Sequence, residues 1–218
     1  MITEKQKYKT SQRIYLVFKR IIGAVLAAIG LIVLSPLMAI TALAIKLDSE
    51  GEVLFKQQRL GVGGVPFEMY KFRSMCVGAE HTGSGVYSDN SDPRITRVGS
   101  ILRKTSIDEL PQMINILRGD MAWIGPRPAL TYHPWEYSEY TEHQKHMFDL
   151  RPGITGWAQV NGRKEVPWPE RIELNVWYNE HVSLGLDLKI LFKTVFKVIT
   201  NADNENIGET APSGKGEQ

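Results

Sequence analysis

Little in this chain can be cross-linked or can hold a metal by itself. Cys76 is the only cysteine among 218 residues, so no internal disulfide can form, and no cluster of His or Cys surrounds it. It reads as a buried or incidental thiol and not as a nucleophile; a reducing location suits it. The five histidines, His81, His133, His143, His146 and His181, fall into no ligand spacing and read as surface or packing residues. Net charge is only +2, which gives no footing for nucleic acid. There is no Asp-x-Asp motif and no internal repeat. Charge itself is missing from Ile21 to Ile45, a run of 25 residues. With 43% hydrophobic and 23% charged residues overall, the chain is a folded one, and its length suits one domain with an appendage.

The uncharged run could cross a hydrocarbon core of about 30 Å as a helix. It is too long for a cleaved signal peptide, and no cysteine-paired exported domain follows it. Ser35-Pro36 breaks its second half: proline removes a backbone donor and clashes with the preceding turn, and Ser35 can return a hydrogen bond. Both flanks are basic. Lys5, Lys7, Lys9, Arg13, Lys19 and Arg20 precede the run against the single acid Glu4, and Lys46, Lys56, Arg59, Lys71 and Arg73 follow it. Basic flanks on both sides favour two ends on one face, as in a re-entrant helix bent at Ser35-Pro36; a spanning helix with a proline kink is the alternative. The basic arm suits an anionic lipid surface.

Downstream, residues 53–75 predict a β-hairpin around Gly61-Val62-Gly63-Gly64, a turn before it is a phosphate cradle. Residues 78–93 form a polar loop of mobile or functional kind. Helical pattern covers about Ile101–Arg118, Trp135–Met147, Glu170–His181 and Asp187–Ile199, with irregular chain over Arg151–Pro169 and a polar tail from Ala202. In the last helix Lys189, Lys193 and Lys197 form one stripe among apolar residues. It reads either as an amphipathic helix lying in a membrane interface or as a surface helix with solvated lysines.

The densest chemical constellation is Arg103-Lys104-Thr105-Ser106-Ile107-Asp108-Glu109-Leu110-Pro111-Gln112. Ser106 and Glu109 have capping-box spacing, which would put Asp108 in a first helical turn; with Pro111 as the first helical residue, both acids lie just ahead of it. In either case two carboxylates meet a helix start beside cations. Such a place can hold Mg²⁺ and phosphate, and an ionised aspartate can accept a phosphoryl group. Plain capping explains the same spacing. Lys71, Arg73, Arg103, Arg163 and Arg127 (between Pro126 and Pro128) are candidate phosphate contacts, each also readable as a structural cation. Of the five tryptophans, Trp157 is the candidate for stacking a uracil, with interfacial placement and core packing as alternatives.

The block Arg103–Gln112, then Leu117-Arg118-Gly119-Asp120-Met121, Gly125-Pro126-Arg127-Pro128 and Arg151-Pro152-Gly153-Ile154-Thr155-Gly156-Trp157-Ala158-Gln159-Val160-Asn161-Gly162-Arg163 resemble, in order, the signatures of the bacterial sugar transferases, the monotopic phosphoglycosyl transferases. Lys71-Phe72-Arg73-Ser74-Met75 and Asp187-Leu188-Lys189-Ile190-Leu191 also match, and Ser35-Pro36 resembles the family's helix-breaking pair. The likeness runs from about Phe18 to Ile199, and the length resembles the minimal catalytic unit of the family without the additional N-terminal membrane domain of some relatives.

The resemblance implies an α+β, mainly helical fold: a basic arm over 1–18, a re-entrant membrane helix over 19–46, a cytosolic catalytic domain with interfacial amphipathic helices over 47–200, and a tail over 201–218. It implies transfer of a sugar phosphate from a UDP-sugar to polyprenyl (undecaprenyl) phosphate at the cytoplasmic face of the bacterial inner membrane, the initiating step of capsule, exopolysaccharide or other glycoconjugate assembly. Asp108 would be the nucleophile and bridge Mg²⁺ to the diphosphate; Glu109 would act in acid/base or positioning work. A homodimer, or assembly with later enzymes of the pathway, is compatible. Two rivals remain at this level: a glycosyltransferase forming a glycosidic bond, and a non-catalytic membrane adaptor.

Overall fold

A computed structural model describes residues 8–83, 92–161 and 166–200. Residues 1–7 of the basic arm, half of the polar loop (84–91), Arg163 and the tail from 201 lie outside the described residues. The uncharged run forms two helices, α1 (Thr10–Val33) and α2 (Ser35–Asp48), which extend beyond the expected 19–46 at both ends. They meet at Leu34, with Pro36 in the first turn of α2, where its missing N–H has no intrahelical partner to lose. Ser35 Oγ donates to the Ile32 carbonyl at 2.8 Å, the hydrogen bond expected of a serine at this break. α1 is long and apolar enough to cross a membrane, and only 6% of its apolar window is buried inside the protein. Ile21, Ile22, Val25, Leu26, Ile29, Ile32 and Val33 are exposed along it.

α1 keeps one narrow strip for the protein. Ala27 is buried with Met69, Met113, Ile116 and Met121. The helices approach closely at Gly30, where a Cβ would lie 2.8 Å from Met113 Sδ. Trp123 Nε1 donates to the Gly23 carbonyl at 2.9 Å. Nearer the N-terminus, Lys19 Nζ lies 2.6 Å from Asp187 Oδ2 and 2.6 Å from the Tyr178 hydroxyl, which donates to Asp187 Oδ1 at 2.7 Å. Tyr15 also donates to Asp187. This network ties α1 to the last two helices.

The hairpin forms as expected: β1 (Leu54–Leu60) pairs antiparallel with β2 (Pro66–Phe72), from Leu54↔Phe72 to Leu60↔Pro66. Gly61–Gly64 is the turn. Gly64 has φ 76°, and a Cβ there would collide with the Tyr137 ring at 2.3 Å, so the glycines serve turn and packing geometry. β3 (Ala122–Ile124) and β4 (Gly153–Thr155) add a short parallel pair. β4 lies in the stretch expected to be irregular, as does α6 (Trp157–Asn161).

The helix expected over Ile101–Arg118 is three pieces. α3 (Arg97–Thr105) ends at Ser106 in the left-handed region (φ 56°), a 3-10 turn covers Ile107–Glu109, and α4 (Gln112–Arg118) starts after Pro111. Proline cannot continue a helix from the preceding turn, so the chain breaks where the two acids sit. The Trp135–Met147 helix is likewise short pieces: a 3-10 turn at Tyr137–Glu139, α5 (Glu142–Lys145) and a turn at His146–Phe148. α7 (Trp168–His181) and α8 (Leu184–Thr200) complete the chain, each starting earlier than the periodicity suggested. Cys76 is exposed, which removes the buried reading and leaves the incidental one.

The outer edge of β2 has no neighbouring strand. Asn115 of α4, fully buried, fills that place: its Oδ1 accepts from the Tyr70 N–H at 3.0 Å and its Nδ2 donates to the Glu68 carbonyl at 2.7 Å. Asn115→Leu leaves both main-chain groups buried without partners. At about 1–3 kcal/mol for such a group, the expected loss of stability is about 3 kcal/mol. Thermal unfolding in detergent checks it; an unchanged midpoint would show that the edge finds other partners.

Candidate active site

Asp108 and Glu109 occupy the 3-10 turn between α3 and α4. The expected capping box is absent. Ser106 is left-handed and makes no side-chain cap, and the Glu109 N–H donates to its main-chain oxygen at 3.2 Å. The arrangement corresponds to the other reading, acids just ahead of a helix start at Pro111. Freed from capping, the Glu109 carboxylate accepts from Lys71 Nζ at 2.7 Å. Lys71 comes from β2, whose register holds it opposite Phe55. On the same hairpin face by strand alternation lie Gln57 and Arg59.

Asp108 is 8% exposed, and among the described residues no other side chain donates to its carboxylate. Burial pushes its pKa up to about 6, reinforced by Glu109 and opposed by Lys71 and Arg103. Burial acts in the same sense on Glu109, but Lys71, Arg127 and Arg59 outweigh it and hold that carboxyl below its usual range. Adjacent acids therefore have opposite environments, the pattern by which sites divide roles between two carboxylates.

Arg127 is held through its backbone. Its N–H donates to Oδ1 of the fully buried Asn175 at 3.1 Å, the Pro126 carbonyl accepts from the Gly153 N–H at 2.9 Å, and the Pro128 carbonyl accepts from Arg59 Nη1 at 3.0 Å. Gly125, Gly153 and Gly156 allow this crossing: a Cβ on Gly156 would sit 1.9 Å from the Gly125 carbonyl oxygen. Four cations thus act on the acids: Lys71, Arg103, Arg127 and Arg59. Arg59 had been counted only as a basic flank; its signal was strand alternation with Lys71. Asn115 and Asn175, the buried asparagines that fix β2 and Arg127, carry no motif of their own.

Other candidates lie elsewhere. Arg73 is 6% exposed and donates to the Ser49 carbonyl at 2.8 Å and to that of Glu50, closing the end of α2 onto β2. In this structure it is a structural cation, the other reading open to it. Trp157 stacks on Trp177 of α7, with centroids 5.0 Å apart, so its contacts here are with the last helices. Two lysines of the α8 stripe reach neighbouring segments, Lys193 donating to Asn161 and Lys197 to the Gln159 carbonyl at 3.3 Å, while Lys189 is exposed. The outward stripe is apolar, with Leu184, Leu188, Leu191, Phe192, Val195 and Phe196 exposed.

A buried carboxylate and a paired one, with cations acting on both at a helix break, are chemically able to receive a polyanion and to accept a phosphoryl group. The family profile described as bacterial sugar transferase matches residues 14–201. The chain belongs to the bacterial sugar transferase family. It is 44% identical over 188 residues to the UDP-glucose:undecaprenyl-phosphate glucose-1-phosphate transferase of Escherichia coli (strain K12), covering 84% of this chain but 40% of that relative. It is 41% identical to an uncharacterized sugar transferase of Bacillus subtilis (strain 168), covering 85% of this chain and 89% of the relative. Identity is also 41% to the UDP-N-acetylgalactosamine-undecaprenyl-phosphate N-acetylgalactosaminephosphotransferase of Aeromonas hydrophila, over 86% of this chain and 45% of the relative.

In a member of this family the acid pair gives a direct stability test. The folded-state pKa of Asp108, about 6 against an ordinary 3.8, means that ionised Asp108 costs the fold about 3 kcal/mol above pH 6. Below about pH 3 the carboxyl is protonated in both folded and unfolded chains, and the cost vanishes. Asp108→Asn is expected to raise the unfolding midpoint at pH 8 in EDTA, with the gain shrinking to nothing as pH falls from about 6 to about 3. A lower midpoint at pH 8 would mean that the cations stabilise ionised Asp108 more than burial opposes it.

Proposed function

We propose that the protein transfers a sugar 1-phosphate from a UDP-sugar to undecaprenyl phosphate, giving a lipid-linked sugar diphosphate and UMP. The observation that carries this is the buried carboxylate of Asp108 next to Glu109, with Lys71 and Arg103 acting on the first acid and Lys71, Arg127 and Arg59 on the second. Asp108 Oδ attacks the β-phosphorus. A P–O bond to Asp108 forms, and the bond from that phosphorus to the bridging oxygen breaks, with UMP taking the electron pair. An oxygen of undecaprenyl phosphate then attacks the same phosphorus, and the bond to Asp108 breaks to return the carboxylate. With a pKa of about 6, Asp108 is mostly ionised at neutral pH, and its raised basicity favours attack. Lys71, Arg103 and Arg127 orient the diphosphate and offset its charge. Glu109, kept ionised by Lys71, serves in positioning or in accepting a proton from the acceptor phosphate.

Magnesium fits this donor set. Such an ion uses one or two carboxylates together with substrate phosphates. Asp108 offers a carboxylate that no other side chain engages, and Glu109 adjoins it. Among the described residues no three His, Cys, Asp or Glu side chains converge, so the diphosphate would complete the coordination. When bound, the ion would neutralise the diphosphate and stabilise charge on the departing oxygen.

The exposed apolar faces of α1, α2 and α8 support membrane association. With the break at Leu34-Ser35-Pro36 and basic residues on both flanks, the reading is a re-entrant hairpin with the catalytic domain on the cytoplasmic face of the inner membrane. Residue-specific tags placed at residues 2 and 218 are expected to label from the cytoplasmic side in intact cells. An N-terminal tag reached only from outside establishes a spanning helix instead. Replacing Ser35 and Pro36 with leucines is expected to shift the N-terminal tag outward.

Products separate the rival readings: a glycosidic-bond-forming enzyme releases UDP, and an adaptor releases nothing. Enzyme given UDP-glucose or UDP-N-acetylgalactosamine with Mg²⁺ and no lipid is expected to release up to one UMP per site. It should also gain the mass of a sugar phosphate on the peptide containing Asp108. Undecaprenyl phosphate should discharge that adduct into lipid-linked product. Asp108→Asn is expected to lower turnover by several powers of ten. Turnover without burst or adduct would establish direct attack by the lipid and confine the acids to metal and base roles.

A further inference from the structure

Three aromatic rings stack across α6 and α7, away from the contacts of the acid pair. Trp157 lies on Trp177 with centroids 5.0 Å apart and planes at 27°, and Trp177 lies on His181 at 4.4 Å and 15°. Two ammonium groups of α8 face one ring of this stack. Lys189 Nζ is 5.4 Å and Lys193 Nζ 5.2 Å from the Trp157 centroid. Each is within cation–π range, and the electron-rich face draws both cations to one place. Lys193 also donates to Asn161. Among the described residues no carboxylate lies within ion-pair distance of either lysine. Two positive charges thus converge on one ring, with no carboxylate among the described residues within ion-pair distance to offset them.

The surroundings say what kind of anion fits. Lys189 and Lys193 each follow an exposed apolar residue, Leu188 and Phe192, so they edge the outward stripe of α8. Trp177, 39% exposed, presents an indole at the same border. Stacked rings and lysines bordering an apolar stripe match the boundary of a bilayer, where indoles sit at headgroup level and ammoniums meet lipid phosphates. A soluble anion would use the lysines and leave the stripe uncovered. A lipid covers both, with its phosphate at the lysines and its acyl chain along Leu188 and Phe192.

We propose that Lys189, Lys193 and the Trp157–Trp177–His181 stack form a binding site for the phosphate headgroup of an anionic phospholipid. The site rests on the membrane-bound reading of the chain and is independent of the chemistry at Asp108. It gives two lysines of the stripe a ligand and places Trp157 with lipid and not with uracil.

Native mass spectrometry of the full chain, released from nanodiscs of equal phosphatidylglycerol and phosphatidylcholine, tests this. Wild-type protein is expected to retain phosphatidylglycerol several-fold over phosphatidylcholine. Lys189→Gln with Lys193→Gln should bring that ratio close to one. The corresponding Lys→Arg pair should keep the preference, which separates loss of charge from loss of folding, and Lys56→Gln on the hairpin should leave it unchanged. Equal ratios in wild type and the Gln pair overturn the proposal, as does an equal loss in Lys56→Gln, which would reflect general surface charge. Displacement of the lipid by millimolar inorganic phosphate would make this a soluble-anion site. A raised KM for undecaprenyl phosphate in the Gln pair, with kcat and lipid retention unchanged, would assign the lysines to the acceptor. The UMP burst of the same variants reads the proposed reaction separately: an intact burst with a lost lipid preference supports both readings, and an absent wild-type burst leaves the lipid result standing alone.

Discussion

The side chain of Asn115 occupies the position that a third strand would take beside β2. Its amide has the donor and acceptor of a peptide group, and it presents them to Glu68 and Tyr70 as a neighbouring strand would. A two-stranded hairpin is marginal alone, and β2 gains from this bond a fixed place against α4. Lys71 follows Tyr70 directly, and α4 follows the acid pair directly. One buried asparagine therefore sets the distance between the lysine and the carboxylate that it holds. The main-chain carbonyl of Asn115 also receives the N–H groups of Asp120 and Met121, at 2.9 and 3.3 Å, so the same residue turns the chain toward β3 and the Arg127 segment.

From α4 the constraint passes to the apolar N-terminal helices. Met113 and Ile116, on either side of Asn115, pack with Ala27 of α1, and Gly30 lets the two helices close on Met113. The acids thus stand in a fixed relation to α1. The Lys19–Asp187–Tyr178 network makes the same connection at the other end of α1. A buried ion pair of this kind is weak evidence for net stability, since desolvation offsets much of its attraction. Its geometric effect is clearer: α8 is joined to α1 near the start of its apolar stripe, so the exposed faces of both helices keep one relation to each other.

Elements whose signal is local were legible in the sequence. The hairpin followed from β-like runs around glycines, and the helix break from Ser35-Pro36. The order of signature blocks led to the family. What failed depended on partners distant in sequence. The periodicity of Ile101–Arg118 is helical, yet it ignores Pro111, and the Ser106–Glu109 spacing of a capping box says nothing of Lys71, which competes for Glu109. Arg73 and Lys71, two residues apart, share strand parity and look equivalent in sequence; what separates them is their distant neighbours, Glu109 for Lys71 and the carbonyls of Ser49 and Glu50 for Arg73. Arg59 had the same charge and an equally good register, but its link to the Pro128 carbonyl spans 69 residues. Trp157 illustrates the converse case: its signature block drew it toward the substrate, while α7 and α8 supply its contacts.

The break that upset the helix assignment is also what the chemistry requires. In a continuous helix, residues 108 and 109 would point about 100° apart, with most of the backbone bonds satisfied within the helix. The left-handed Ser106 and the proline at 111 end one helix and begin another across six residues. Within that interval Asp108 turns inward to 8% exposure, while Glu109 remains half-buried at Lys71. Burial without a partner raises the basicity of one carboxylate, and pairing lowers that of the other. A single residue step thus separates a group suited to attack phosphorus from one suited to hold position, and the cost of leaving Asp108 ionised falls on the fold at the place where the proposed reaction would use it.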